Sequence, residues 1–163
     1  MLTQDRLREL LVYDPLSGEF TWLVNRLGSG GAGSRAGAFD GQGYRQIGID
    51  GRIYREHRLV WLYVHGHWPV ADLDHINRNR SDSRLANLRP ATRSQNSANS
   101  GPPRNNSSGF KGVSLEKRSG RWHAYITVAR RRQNLGRFDT AEAANAAYVA
   151  AAVRIHGEFA RAA

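Results

Sequence analysis

An α+β fold in two domains is what the order of residues predicts, on three observations. "GYRQIGIDGRIYREH" (43–57) is a hairpin signal, two short strands around Asp50-Gly51. Residues 110–138 hold three strand candidates, followed by a helix pattern from Ala141. Between the two parts, "NSGPPRNNSSG" (99–109) has no apolar periodicity and reads as a linker. The expected domains are therefore 1–98 and 110–163, joined by 99–109, with residues 1–56 leading into a polar motif over 57–98.

Each element has a local reason. Thr3 can cap a helix running to about Val12, with Leu2 and Leu7 as a hydrophobic staple and Leu7, Leu10 and Leu11 as its buried stripe. "GEFTW" (18–22) reads as a strand after the Asp14-Pro15 turn, and 28–37 as a flexible Gly-rich loop. "HRLVWLYVHG" (57–66) is an apolar helix ended by Gly66, and Pro69 forbids its continuation. A strand should end at Asp74-His75. Thr92 and Gln95 form a capping box for a helix to about Asn99. In the last part the strands are expected at 110–115, 121–128 and 132–138. Thr140 caps the closing helix, 141–156, and Gly157 ends it. That helix is Ala-rich and can lie close to a sheet.

The charge narrows the partners. The chain of 163 residues carries +10. Residues 1–100 hold 13 Arg against 10 Asp and Glu, a balance of +3, while 101–163 hold 11 Lys and Arg against 4, a balance of +7. A positive field concentrated in the shorter part suggests a polyanion, and nucleic acid leads, because no basic amphipathic helix with a bulky apolar face is present. There is no cysteine, which removes disulfides and thiolate zinc sites and suits a reducing cytoplasm. No apolar run is long enough for a membrane span, and "MLTQDRLREL" does not read as a secretory signal.

The polar stretch 72–96 raises the chemical question. Asp74 and an Asn carbonyl are hard oxygen donors suited to Mg²⁺, which keeps several waters. A strand ending at Asp74-His75 and a helix over 92–99 would bring positions 74, 75 and 96 together, leaving His75 to act as a base. Singly, each residue also has a plain structural use: an Asn in a turn bonds its own backbone, and Asp74 can pair with a nearby arginine.

The spacing D-H-x11-N-x8-N, with "HRLVWLYVHGHWP" before it and "DLDHINRNRSDSRLANLRPATRSQNSAN" around it, resembles the HNH nuclease motif of phage and intron-encoded homing endonucleases. The resemblance covers about 57–99. It implies a ββα-metal fold holding one divalent ion, Mg²⁺ or Mn²⁺, with Asp74 and Asn96 as ligands. It further implies His75 as general base and Asn87 as the residue that holds the loop and orients the base. Two positions depart from that family: Arg78 stands where relatives usually have Gly, and Ser83 where many have Asn. Because Asn96 carries no charge, a weak, millimolar dependence on Mg²⁺ is expected. The hairpin arginines Arg45, Arg52 and Arg55 either touch phosphate or face water.

The C-terminal part supplies a second resemblance. "FKGV", "GRWHAYI", "NLGRFDTAEAANAAYVAA" and "HGEFA" are similar to the ethylene-response-factor (apetala-two) DNA-binding domain, over 109–160. It implies a small three-stranded antiparallel sheet with one packed helix, the sheet entering the major groove. Lys111, Arg121, Trp122, Arg130, Arg131, Arg132 and Arg137 are the candidate DNA contacts. Ser114, Tyr125 and Thr127 replace residues that usually make contacts, so no target sequence carries over.

Together these features predict a metal-dependent endonuclease, encoded by a phage or mobile element, that nicks double-stranded DNA as a monomer in the host cytoplasm. The rival is a DNA-binding regulator whose nuclease site is idle. An RNA-cleaving enzyme is less favoured, since a sheet that fits the major groove suits B-form DNA.

Overall fold

A computed structural model describes residues 1–25, 30–103 and 105–160, so part of the Gly-rich loop (28–29), one linker position and the last three residues lie outside the description. The chain forms two compact units, Met1–Ala91 and Thr92–Ala163. It is a mixed α and β protein built from several small antiparallel sheets.

In the first unit, α1 (Gln4–Leu10) begins where the Thr3 hydroxyl accepts from the Arg6 amide at 3.2 Å. It stops short of Val12. Leu11–Asp14 is β1, paired with β2 (Glu19–Trp22) in a hairpin with Leu11 opposite Trp22 and Asp14 opposite Glu19. Pairing with β2 and the burial of Leu11 and Tyr13 outweigh a helical period that runs on through Leu11. A three-stranded sheet follows, in the order β3 (Ala38–Phe39), β4 (Arg45–Ile49), β5 (Arg52–Arg55). Its β4–β5 turn places Asp50 and Gly51 at φ +48° and +76°, both left-handed, as a two-residue hairpin of the primed type requires.

Helix α2 (Glu56–His65) ends on Gly66 in the left-handed conformation. Strand β6 (Asp72–His75) then pairs with β7 (Leu88–Ala91) as a two-stranded ribbon, with Asp74 opposite Arg89 and His75 opposite Leu88. Leu2, Leu7, Leu11, Phe20, Trp22, Ile47, Ile49, Leu59, Val60, Leu62 and Leu88 form one buried core beneath these elements. Tyr13 ties that core to the ribbon loop: its hydroxyl donates to the Ser83 carbonyl and accepts from the Leu85 amide at 3.0 Å.

The second unit starts with α3 (Arg93–Asn99). Its capping box is complete, with the Thr92 hydroxyl accepting from the Gln95 amide and the Gln95 side chain from the Thr92 amide. Strands β8 (Val113–Glu116), β9 (Arg121–Val128) and β10 (Arg131–Phe138) form an antiparallel sheet in the order β10-β9-β8. The first strand begins at Val113 rather than 110. Gly112 adopts φ +69°, and a Cβ there would fall on the Tyr125 carbonyl oxygen and the Tyr148 ring. Helix α4 (Ala141–His156) is capped by Thr140 and packs Ala144, Tyr148, Ala151 and Ala152 toward the sheet.

Candidate functional site

The ribbon places Asp74 and His75 at its end, both buried. Their environments differ. Asp74 faces Arg89 across the ribbon: the guanidinium approaches Oδ2 through Nε at 3.0 Å and through the other nitrogen at 2.9 Å. The guanidinium orients the carboxylate and supplies a counter-charge to it. His75 faces rings. The His57 imidazole lies edge-on at 4.9 Å between centroids, and the Tyr44 ring lies at 5.9 Å.

Burial pushes the His75 imidazole below the usual histidine range, aided by Arg80 and opposed by Asp74 and Asp82. His57 is pushed down to about 3, first by burial and then by His75, Arg55 and Arg58. Both rings are neutral at neutral pH. A neutral imidazole is the form that accepts a proton.

Asn87 closes the loop between the two strands. Its Oδ1 accepts from the Asn77 amide at 2.9 Å, its Nδ2 donates to the Asp82 carbonyl at 2.9 Å, and its carbonyl accepts from the Ile76 amide at 2.9 Å. One side chain thus joins residues directly after β6 to residues before β7. Ser81 and Asn79 make a further turn inside the loop. Ser83 is buried beside Glu56, whose carboxyl is pushed up by that burial.

Arg78, where the HNH resemblance leads one to expect Gly, has φ +65°. A side chain there is strained by about 1–2 kcal/mol, while glycine adds about 0.5–1 kcal/mol of chain entropy to be lost on folding. Arg78→Gly should therefore stabilise the protein by about 0.5 kcal/mol, read as a rise in the urea midpoint with an unchanged slope.

Asn96 lies within α3 of the second unit. Among the described residues no group of three or more of His, Cys, Asp and Glu is placed to hold a metal ion. The expected donor set of one carboxylate with an amide is of a different kind, and its oxygen chemistry suits a hard divalent ion bound weakly.

In the second unit, Ala124 and Ile126 of β9 are buried against α4, so His123, Tyr125 and Thr127 stand on the opposite face. That alternation puts Trp122 on the helix side, where it packs against Val113, Ala124 and Ala144. It is partly buried on the covered face and not, as expected, on the open one. Lys111 is also otherwise engaged. Its ammonium donates to the Ser97, Ala98 and Ser100 carbonyls at the end of α3.

The open face instead carries a His123–Asn134 pair at 2.9 Å and Arg132 lying 3.8 Å from the Tyr125 ring centre. Arg121 pairs with Asp139 and Arg137 with Glu116, both exposed. Arg130, at φ +66°, sits in the β9–β10 turn, and Arg131 opens β10 opposite Val128. Strand alternation in "RWHAYITV" carried the signal for this face: with Ala124 and Ile126 inward, the odd positions point out. A cleft of about 840 Å³ runs beside it, lined by Arg93, Ser97, Lys111, Tyr125, Arg130 and His156 among others.

Residues 54–98 match the HNH endonuclease family. Protein 3.8 of Escherichia phage T7 is 35% identical over 109 residues, covering 66% of this chain and 88% of the phage protein. An AP2-like ethylene-responsive transcription factor of Arabidopsis thaliana is 46% identical over 55 residues, which are 34% of this chain and 11% of the plant protein. An APETALA2-like protein of Oryza sativa subsp. japonica is 44% identical over 55 residues, 13% of its length. No solved structure matches. A family match that frames the Asp74-His75 ribbon, and identity sustained over most of the phage protein, lead to one conclusion: the chain belongs to the family of phage T7 Protein 3.8 and carries an HNH endonuclease domain.

Proposed function

We propose that this protein is a metal-dependent DNA endonuclease that nicks duplex DNA, acting as a monomer in the phage-infected cell. The observation that carries the reading is a buried, neutral imidazole at His75 beside the Asp74 carboxylate, inside the HNH match. The reading takes β6 and β7 as the ribbon and α3 as the helix of a ββα-metal fold, with Asp74 and Asn96 as ligands. A bound Mg²⁺ or Mn²⁺ would neutralise charge at the scissile phosphate and stabilise the leaving oxygen.

The chain's own groups do the rest. His75 takes the proton from the attacking water, a role worth roughly 10²–10⁴-fold. Asn87 holds the loop that follows His75 and so fixes where the ring sits. Arg89 holds Asp74 by one oxygen and keeps the carboxylate from swinging.

The second unit supplies affinity. Arg130, Arg131 and Arg132 at one end of the sheet, with Arg121 and Arg137 on exposed ion pairs worth little by themselves, exchange readily to phosphate. The domains are read as the nuclease part to residue 98, a connector over 99–109 and the DNA-binding part from 110. Among the described residues, no helix is long and apolar enough to cross a membrane.

Supercoiled plasmid incubated with increasing Mg²⁺, or with chelator, tests the proposal. Nicked circles should accumulate at millimolar Mg²⁺ and be absent with chelator. Tight duplex binding with no metal-dependent cleavage would instead make the protein a DNA-binding regulator.

A further inference from the structure

The segment before the HNH match holds a group with no assigned role. Tyr44, just before β4, lies close to both imidazoles, 5.4 Å from His57 and 5.9 Å from His75 between ring centres. Two guanidiniums lie over the same ring: Arg55 at 4.2 Å and Arg80 at 4.9 Å from its centre. Two stretches distant in sequence therefore meet on one aromatic side chain: 55–57, where β5 passes into α2, and 75–80, the end of β6 with the loop after it.

The turn before Tyr44 is built to hold it. Asp40 Oδ1 accepts from the Gln42 and Tyr44 amides at 2.8 and 3.0 Å, and the Asp40 amide donates to the Tyr44 carbonyl at 2.8 Å. Gln42 then fastens both arginines. Its carbonyl accepts from Arg80 at 2.9 Å and its Oε1 from Arg55 at 3.2 Å.

The arginines of this unit are held in two ways, by carboxylates or, as Arg8 and Arg45 are, by carbonyl oxygens and an aromatic face. Arg6, Arg35, Arg84 and Arg89 of the same unit each pair with a carboxylate. Among the described residues, Arg55 and Arg80 pair with none within 4.0 Å; neutral oxygens and an aromatic face hold them. Guanidinium forks fixed without an acidic partner are suited to a phosphate, which they bind in bidentate fashion. Cation–π contact restrains them without cancelling their charge.

We propose that Arg55 and Arg80 grip a backbone phosphate of the DNA beside His75, and that Tyr44 is the positioning residue that sets both arginines against the ring. This rests on the nuclease reading for its catalytic half, but the phosphate contact stands without it. The leading hairpin segment is then part of the cutting centre: it carries the Tyr44 ring and Arg55, while Arg80 comes from the ribbon loop.

The test uses the full chain, with Tyr44→Leu, Tyr44→Phe, Arg55→Ala and Arg80→Ala. Two readouts are needed: duplex binding in chelator as a function of salt, and plasmid nicking in Mg²⁺ resolved into kcat and KM. Each arginine variant should lower the salt slope of binding by about one unit. Tyr44→Leu should lower kcat by about tenfold to a hundredfold, as a misplaced catalytic group does. Tyr44→Phe, which keeps the ring, should recover most of that loss.

Unchanged salt slopes in both arginine variants overturn the phosphate contact. Equal losses in Tyr44→Leu and Tyr44→Phe overturn the role of the ring. If Tyr44→Leu melts, Arg80→Ala decides alone, since Arg80 is exposed and its removal leaves the core intact. If the wild-type protein does not nick, the nuclease reading fails while the salt slopes still decide the phosphate contact.

Discussion

His75→Ala should lower the nicking rate by about 10²–10⁴-fold while duplex binding in chelator stays within about twofold of wild type. The expectation follows from where the ring sits. His75 is buried beside the His57 and Tyr44 rings, and burial outweighs Asp74 and Asp82 in holding its imidazole below the usual histidine range and neutral. The general base must be neutral to act. Its pKa lies below the ordinary histidine value, so the rate should rise with pH only in the acid range and be level from about neutrality upward. A rate that still climbs between pH 7 and 8 would point to another group as base. A loss of binding equal to the loss of rate would make His75 a structural residue. His75→Asn is the better-packed control, because it fills more of the site than alanine and still cannot accept a proton at neutral pH.

Much of this centre was readable before any coordinates, and the reason is local chemistry. The Thr92-Gln95 capping box, the Asp50-Gly51 turn and Gly66 after α2 each depend on residues within a few positions of one another, and each forms as expected. The Asp74-His75 strand end and the Asn87 loop belong to a spaced motif whose members are few and polar. What local pattern could not show is which distant segments meet. Tyr44, Arg55 and Arg80 look like an ordinary hairpin and loop in sequence; only the packing of β4, β5 and the ribbon loop unites them. Lys111 is a similar case. In sequence it is one more basic residue, yet its ammonium closes the end of α3.

Other misreadings came from choosing the wrong local signal. The helical period through Leu10 and Leu11 suggested a longer α1, while the alternation of Leu11 and Tyr13 on β1 decided the outcome through pairing with β2. Trp122 is expected on the open face from the apetala-two resemblance, although its register with Ala124 and Ile126 places it on the covered face. In both, the tertiary partner selected between two patterns that coexist in the chain.

Acid should destabilise the protein through His57, and the size of the effect can be stated. His57 is buried at the start of α2, packed against Tyr44 and His75, with Arg55 and Arg58 nearby. Its pKa is pushed down to about 3 in the folded chain, whereas an unfolded histidine titrates near 6.5. Between those values the unfolded state binds a proton that the folded state does not, so folding stability falls as pH falls, by about 1.4 kcal/mol per unit. From pH 6.5 to 5.0 that amounts to about 2 kcal/mol. Glu56 acts in the opposite sense. Burial raises its pKa, so the folded state holds the extra proton and its contribution falls as pH rises past the unfolded value. The two slopes overlap above about pH 4.5, and the wild-type curve alone cannot separate them. His57→Phe removes one term and keeps a ring of similar size. The difference in unfolding free energy between wild type and His57→Phe, measured by urea titration, should shift by about 2 kcal/mol against the wild type between pH 6.5 and 5.0. A difference that stays constant over that range would mean that His57 takes up its proton in the folded state, and that the ring cluster beside His75 tolerates a positive charge.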